Sequence, residues 1–198
     1  MRETFYIGGP IIRKICAILI ATSSLLAWAS RAQDTNAPLT ELETFEAQTG
    51  TVIVKGAGQT GSLTVGVVGI TVLSKESLNV NTGQKAYGAA IEITGNNRLV
   101  RKAVVDYDEL DTFLSSLDYL AKIDYTVTTL PTFVAGYTTK SGFRVGAYTS
   151  QRRGAIQFFL QAYSTDNTRI LITPAQLAQF QTLIEQTRKS LDMLRTPH

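Results

Sequence analysis

The chain has 198 residues, a formal net charge of +3, one cysteine and one histidine. A lone cysteine, Cys16, excludes an internal disulfide framework and a thiolate metal site. The lone histidine, His198, is the last residue, where no neighbouring group could orient it, so we expect neither a histidine-based triad nor a histidine metal site.

The first part of the chain has the three regions of a secretory signal peptide. Arg2, Arg13 and Lys14 supply the charged region, an apolar run follows at 15–29, and small residues at 27–29 and 30–32 offer cleavage points. We therefore predict cleavage and export to a periplasmic or extracellular location. Two alternatives stay open: lipidation at Cys16, and retention as an uncleaved anchor, for which the run is shorter than the ~20 residues of a spanning helix.

Cleavage after Ala32 changes the charge balance. It removes four basic residues and one acidic residue, which leaves equal numbers of each in the mature chain. The mature net charge is then zero and gives no argument for a nucleic-acid partner. With no membrane span expected after cleavage, the mature chain is long enough for a single domain.

The chain after the signal peptide begins with a predicted flexible lead at 33–49, interrupted by a brief helical turn at 42–47. A β pattern follows, with glycine-rich or asparagine-rich turns between the strands. Its predicted strands are 51–55, 63–74, 85–94 and 99–105. Gly66 and Gly69 suggest a bend or bulge inside the second of them.

Two amphipathic helices follow separate groups of strands. Apolar residues recur at helical spacing from Leu110 to Ala121, which predicts the first helix. Pro131 reopens the β pattern, with predicted strands at 132–139, 143–150, 155–163 and 169–172. A capping box of Thr173 and Gln176 then starts the second helix.

The two halves repeat each other at a spacing of 67 residues. Leu110, Phe113 and Leu117 fall on Leu177, Phe180 and Ile184, and the strand ends before the helices match as well. We read Asp106 and Glu109 as a reciprocal cap, matched to Thr173 and Gln176. The alternative is chance similarity between two amphipathic helices. The predicted fold class is α+β: an antiparallel β-sheet with two helices, built as two β-β-β-β-α pseudo-repeats (50–123 and 131–195) in one domain, 50–198.

This element order resembles the single-strand-binding fold of the whirly proteins and of the coactivators that pair two β-β-β-β-α chains. The lysine-glycine-lysine string of the whirly proteins has no counterpart here, so no binding residue is carried over. The segments YGAAIEI (87–93) and DYDELDTFLSSLDYLAKI (106–123) resemble uncharacterised secreted bacterial proteins, a resemblance that implies export and no activity.

Two other patterns have simpler structural explanations. The acidic cluster at 106–111 lacks the glycine and the final glutamate of a calcium loop, so we interpret it as the acidic first turn of a helix. The segment GAGQTG (56–61) has the spacing of a dinucleotide-binding loop. No helix follows it, and we predict a hairpin turn at 56–62 instead.

The second repeat carries the candidate binding surface. Strand alternation places Arg144, Tyr148 and Phe159 on the outward face, beside a hairpin that contains Arg152 and Arg153. Exposed aromatic rings beside arginines suit stacking on bases or sugars, or anchoring of a protein. The alternatives are that the other half of the domain covers this face, or that the arginines only solubilise a turn.

The sequence thus predicts an exported, non-catalytic binding or interaction module with an unknown protein or glycan partner. The first alternative is a single-strand nucleic-acid-binding protein, by analogy of fold. The second is a hydrolase, for which no G-x-S-x-G or S-x-x-K string is present. No catalytic residue, metal site or cofactor is predicted.

Overall fold

The computed structural model describes residues 40–95, 98–150, 154–162 and 169–196. The described residues belong to one compact unit. The predicted signal peptide lies outside the described residues, as do the candidate residues Arg152 and Arg153. The α+β fold class is confirmed. The described residues form two four-stranded antiparallel sheets, where one sheet was predicted, and three α-helices, where two were predicted.

The two sheets have the same simple order, in which each strand pairs with its neighbours in the chain. Sheet 1 contains β1 (Ile53–Val65), β2 (Val68–Asn79), β3 (Lys85–Gly95) and β4 (Arg98–Asp106). Sheet 2 contains β5 (Val134–Thr138), β6 (Arg144–Ser150), β7 (Ala155–Gln161) and β8 (Ile170–Ile172). The helices are α1 (Glu41–Glu46), α2 (Leu110–Ala121) and α3 (Pro174–Arg195).

The predicted turn at 56–62 is wrong, because those residues lie within β1. The hairpin turn comes later, at Gly66, whose φ of 61° favours glycine. Within β1 the register shifts between Gln59 and Gly61. A Cβ atom at Gly61 would lie 2.6 Å from the Leu183 side chain, so this glycine allows α3 to approach the strand closely.

Each long helix covers the sheet of the other repeat. Helix α2 follows sheet 1 in the chain and packs against β5 and β6, whereas α3 follows sheet 2 and packs against β1, β2 and β3. The Phe113 ring on α2 thus meets Tyr137 of β5 and Phe143, the residue before β6, at centroid distances of 5.6 and 6.3 Å. Because the helices are exchanged in this way, each sheet is buried mainly by the helix of the other repeat.

The exchanged helices join both sheets into one hydrophobic core. The positions matched by the 67-residue spacing are all buried in it: Leu110 and Leu177, Phe113 and Phe180, Leu117 and Ile184. Both helices also pack against each other along this core. The face of each sheet that meets the core is called its inner face below, and the opposite face its outer face.

The capping prediction is confirmed for α3 and wrong for the first repeat. Thr173 and Gln176 form the capping box reciprocally. Asp106, by contrast, makes no cap bond to the helical turn that follows it. Its carboxylate instead accepts the backbone N–H groups of Glu41 and Leu42 at 2.8 and 3.0 Å, because α1 lies beside the end of β4.

The predicted flexible lead therefore ends earlier than expected, since α1 is part of the folded unit. Leu42 is buried, and its Cδ2 atom would lie 3.1 Å from a Cβ at Gly88 of β3. Glu46 binds Lys75 at 2.5 Å and Lys55 at 3.0 Å. These contacts place α1 on the outer face of sheet 1.

Candidate binding surface

The outer face of sheet 2 carries three of the five candidate residues. On β6 and β7, the side chains of Val145, Ala147, Phe158 and Leu160 enter the core. Strand alternation turns the residues between them to the opposite face. The register then brings together the outer-face residues Val134, Gly136, Arg144, Gly146, Tyr148, Gln157, Phe159 and Leu171.

Phe159 lies on the predicted face, but it is not accessible there as the sequence analysis expected. Its exposed fraction is 0%. The ring lies across Gly146, its cross-strand partner, where a Cβ atom would come within 2.5 Å of Phe159 Cζ. Glycine at this position leaves room for the ring to lie flat against the sheet, so Phe159 forms the floor of the surface and not an exposed anchor.

Two arginines lie above this floor. The Arg169 guanidinium is 4.6 Å from the Phe159 ring centroid and 5.7 Å from that of Tyr148. The Arg144 guanidinium lies 5.7 Å from the Phe159 ring centroid. Tyr148 completes the cluster, with its ring centroid 6.1 Å from that of Phe159. Stacking on aromatic faces holds guanidinium groups in place without neutralising their charge.

These two arginines differ from most other cations in the described part of the chain, which pair with carboxylates. Lys75, Lys85 and Arg188, for example, form ion pairs with acidic side chains at 2.5, 2.6 and 3.0 Å. Arg144 and Arg169 have no described carboxylate within 4.0 Å. In addition, the buried Nε of Arg144 has no hydrogen-bond partner among described residues. Among the described residues, this surface therefore carries two arginines without a carboxylate partner and one buried donor without an acceptor.

Accessible apolar and polar side chains border the two arginines. Leu171 and Val134 are 47% and 58% exposed, and Tyr148 and Gln157 are half-buried. We refer to Val134, Arg144, Tyr148, Gln157, Phe159, Arg169 and Leu171 together as the arginine–aromatic surface. It can hold an anionic group against the two guanidinium groups, beside an apolar contact.

Arg169 is the residue that the sequence analysis missed. It lies one residue before β8, two positions from Leu171, so strand alternation places both side chains on the outer face. This alternation was a signal in the sequence that could have identified Arg169. The structure brings Arg144, Tyr148 and Phe159 together around it. Arg152 and Arg153 lie outside the described residues, in the β6–β7 hairpin.

The acidic cluster at 106–111 serves contacts between elements and not a single site. Lys140, in the turn between β5 and β6, binds Asp106 and Asp108 at 3.4 and 3.0 Å. Asp111 binds Arg188 on α3 at 3.0 Å. The sequence analysis assigned these acids to the first turn of their own helix. The structure shows that they also hold the second repeat against the first.

Glu109 forms the buried centre of this contact. It accepts hydrogen bonds from the Tyr137 hydroxyl and the Lys140 backbone N–H, both at 3.0 Å. Burial raises the pKa of Glu109 despite these bonds. Burial and the neighbouring carboxylate raise the pKa of Tyr137 to about 12. Both side chains therefore belong to the contact between the two repeats.

Two further properties concern the described residues as a whole: metal-ligating groups and membrane-spanning helices. No group of three histidine, cysteine, aspartate or glutamate side chains there is arranged to hold a metal ion. No helix in the same part of the chain is long and apolar enough to cross a membrane.

Comparison with known proteins finds no matching family model, no matching curated protein and no matching solved structure. The resemblance to the whirly-type fold therefore depends on element order alone. The arginine–aromatic surface is therefore the feature of this chain that bears on its function.

Proposed function

We propose that this protein is an exported, non-catalytic binding module that recognises an anionic partner through the arginine–aromatic surface. The observation that carries the proposal is the pair of guanidinium groups, Arg144 and Arg169, stacked over Phe159 without a described carboxylate partner. Charge-assisted hydrogen bonds from arginine to carboxylate or phosphate are among the stronger polar contacts in proteins. Export is part of the proposal because residues 1–32 have the pattern of a signal peptide.

Single-strand nucleic-acid binding is the second candidate, and the stacked rings and arginines favour it. Aromatic side chains beside cations are the usual platform for unpaired bases. Two observations weigh against it. Phe159 is fully buried and offers no open ring face, and the mature chain has equal numbers of acidic and basic residues. Affinity from counterion release needs several clustered cations. A protein or glycan with acidic groups fits the surface better.

The test measures binding to three classes of immobilised anionic probe: acidic peptides, uronic-acid oligosaccharides and oligothymidylate. The protein tested is the mature chain and its double variant Arg144→Gln/Arg169→Gln. We expect at least one probe class to bind the parent chain, and the double variant to bind that class at least tenfold more weakly.

The matched control is Lys122→Gln/Lys189→Gln, which removes the same charge from exposed positions on or next to the helices. This control should retain parental binding. Equal losses in both double variants would indicate a nonspecific charge effect and contradict the proposal. So would an absence of binding to all three probe classes.

A further inference from the structure

The outer face of sheet 1 shows how this fold covers such a face. There, α1 places the apolar Leu42 against Gly88 and the acidic Glu46 against Lys75. Ser77 donates a second hydrogen bond to Glu46 at 2.9 Å, and Gln48 accepts one from Asn79 at 2.7 Å. The outer face of sheet 1 is therefore covered by an acidic segment with one buried apolar side chain.

The pairing registers of the two sheets identify the matching place on sheet 2. In sheet 1, one row of cross-strand partners ends at Val105, and Lys75 pairs with Gly88 in the adjacent row. In sheet 2, the corresponding row ends at Ile172, which lies 67 positions after Val105 in the chain. Tyr148 pairs with Gln157 in the row adjacent to it. Tyr148 and Gln157 thus occupy the places of Lys75 and Gly88.

The matching place on sheet 2 is open in the described part of the chain, but it keeps a positive charge. Tyr148 replaces Lys75, and Arg169 brings its guanidinium to within 5.7 Å of the Tyr148 ring centroid. Val134 and Leu171 are exposed beside it. The carboxylate of Asp106, which holds the first turn of α1, is replaced by Thr173, whose hydroxyl already caps α3.

We infer that the outer face of sheet 2 docks an acidic segment of a partner protein, in the position that α1 occupies on sheet 1. This inference rests on the proposed function and narrows its ligand to a polypeptide. A carboxylate of the segment binds Arg169 and Arg144, and an apolar side chain of the segment covers Leu171 or Val134. Because the Thr173 hydroxyl is engaged in capping α3, it does not accept N–H groups of the segment as Asp106 does for α1. The segment is therefore not expected to begin a helix at this place.

The experiment uses a labelled 14-residue peptide with the sequence of residues 37–50, which is this fold's own example of such a segment. A second peptide replaces Glu41, Glu43 and Glu46 by glutamine. Fluorescence anisotropy measures binding of each peptide to the mature chain, to Arg144→Gln/Arg169→Gln and to the control Lys122→Gln/Lys189→Gln. Circular dichroism and thermal unfolding establish that every variant is folded.

We expect the acidic peptide to bind the parent chain and the control alike. Its affinity should fall at least tenfold with the double arginine variant, and the glutamine peptide should bind at least tenfold more weakly than the acidic one. Peptide binding that persists in the double arginine variant would overturn the inference, because the peptide would then be exchanging with α1 on sheet 1.

Other probes separate this inference from the proposed function. If uronic-acid oligosaccharides or oligothymidylate bind in an Arg144- and Arg169-dependent way and the acidic peptide does not, the inference is wrong and the proposed function stands. If no anionic probe binds the parent chain, both are wrong.

Discussion

Phe113 and Phe180 lie 67 residues apart in the chain, and their rings meet edge to face with centroids 6.3 Å apart. Each is fully buried, and each also packs against Phe143. The contact joins the two exchanged helices at their matched positions. The 67-residue spacing therefore relates residues that touch each other in the core, in addition to matching the order of the strands.

Truncation of either ring should be costly. Phe113→Ala and Phe180→Ala should each lower the free energy of unfolding by about 3–5 kcal/mol, the usual range for a buried phenylalanine. Because the rings touch, the double variant should depart from additivity by about 0.5–3 kcal/mol. Urea unfolding measures all three values. Tyr119→Ala, on the exposed side of α2, is the control and should change stability by less than about 0.5 kcal/mol.

The exchange of helices makes the two repeats dependent on each other. Fragments 37–123 and 124–198, prepared separately, should each lack cooperative unfolding, since each sheet would lose the helix that covers it. An equimolar mixture should regain helical circular dichroism and a cooperative transition. A fragment that unfolds cooperatively alone would contradict the observed packing.

The sequence predicted α2, α3 and the β-rich halves because each signal was local and strong. The apolar face from Leu110 to Leu120 and the capping box at Thr173 are determined within a few residues. The turn at 56–62 was predicted wrongly because glycines normally mark turns. Here Gly61 instead makes room for Leu183, a residue more than a hundred positions away.

The binding surface was predicted in part, for a related reason. Alternation correctly placed Arg144, Tyr148 and Phe159 on one face, because side-chain direction in a strand is a local property. The Phe159 ring packs against Gly146 in the neighbouring strand and against Arg169, which lies ten residues later in the chain. The role of Asp106 was missed because its partners lie in α1, more than sixty residues earlier. Pairing between distant segments leaves no local pattern.

The contact between Glu46 and Lys75 should make stability depend on pH in acid. Burial disfavours the Glu46 carboxylate, but hydrogen bonds from Lys75, Lys55 and Ser77 outweigh this and lower its pKa from 4.5 to about 2. Its stabilising contribution is therefore present above pH 4.5 and is lost as the pH falls toward 2. Glu46→Gln should reduce the free energy of unfolding by about 1–3 kcal/mol at pH 7.

Unfolding curves at several pH values check this dependence. The gap in unfolding free energy between the parent chain and Glu46→Gln should narrow as the pH falls from 4.5 toward 2. Asp118→Asn, which breaks the exposed pair with Lys122, is the control and should have little effect. A gap that stays constant over this range would show that the Glu46 charge does not provide the stabilisation.

Asp106 should hold α1 on the domain through the N–H groups of Glu41 and Leu42. Asp106→Ala should therefore speed hydrogen exchange at these two amides by at least tenfold. Exchange at the buried amides of α3 should change much less, because α1 lies on the far side of sheet 1. Equal protection of Glu41 and Leu42 in both proteins would exclude this role for Asp106.

Export has a direct test in the native host. We expect the mature N-terminus to be Gln33, or Ser30 if the earlier small-residue site is used. Intact-mass analysis of the protein from a periplasmic or culture fraction distinguishes the two. A chain that begins at Met1 or Arg2 would show that no cleavage occurs.

The central claim is that an anionic partner binds the outer face of sheet 2, and its most direct test maps the contact by NMR. The acidic 14-residue peptide, a uronic-acid oligosaccharide and oligothymidylate are each titrated into the ¹⁵N-labelled mature chain. The account predicts that the probe that binds shifts the amide signals of Tyr148, Gln157 and Leu171 and the side-chain Nε–H signals of Arg144 and Arg169. Shifts confined to α2, α3 or the outer face of sheet 1, or no shifts with any probe, would contradict it.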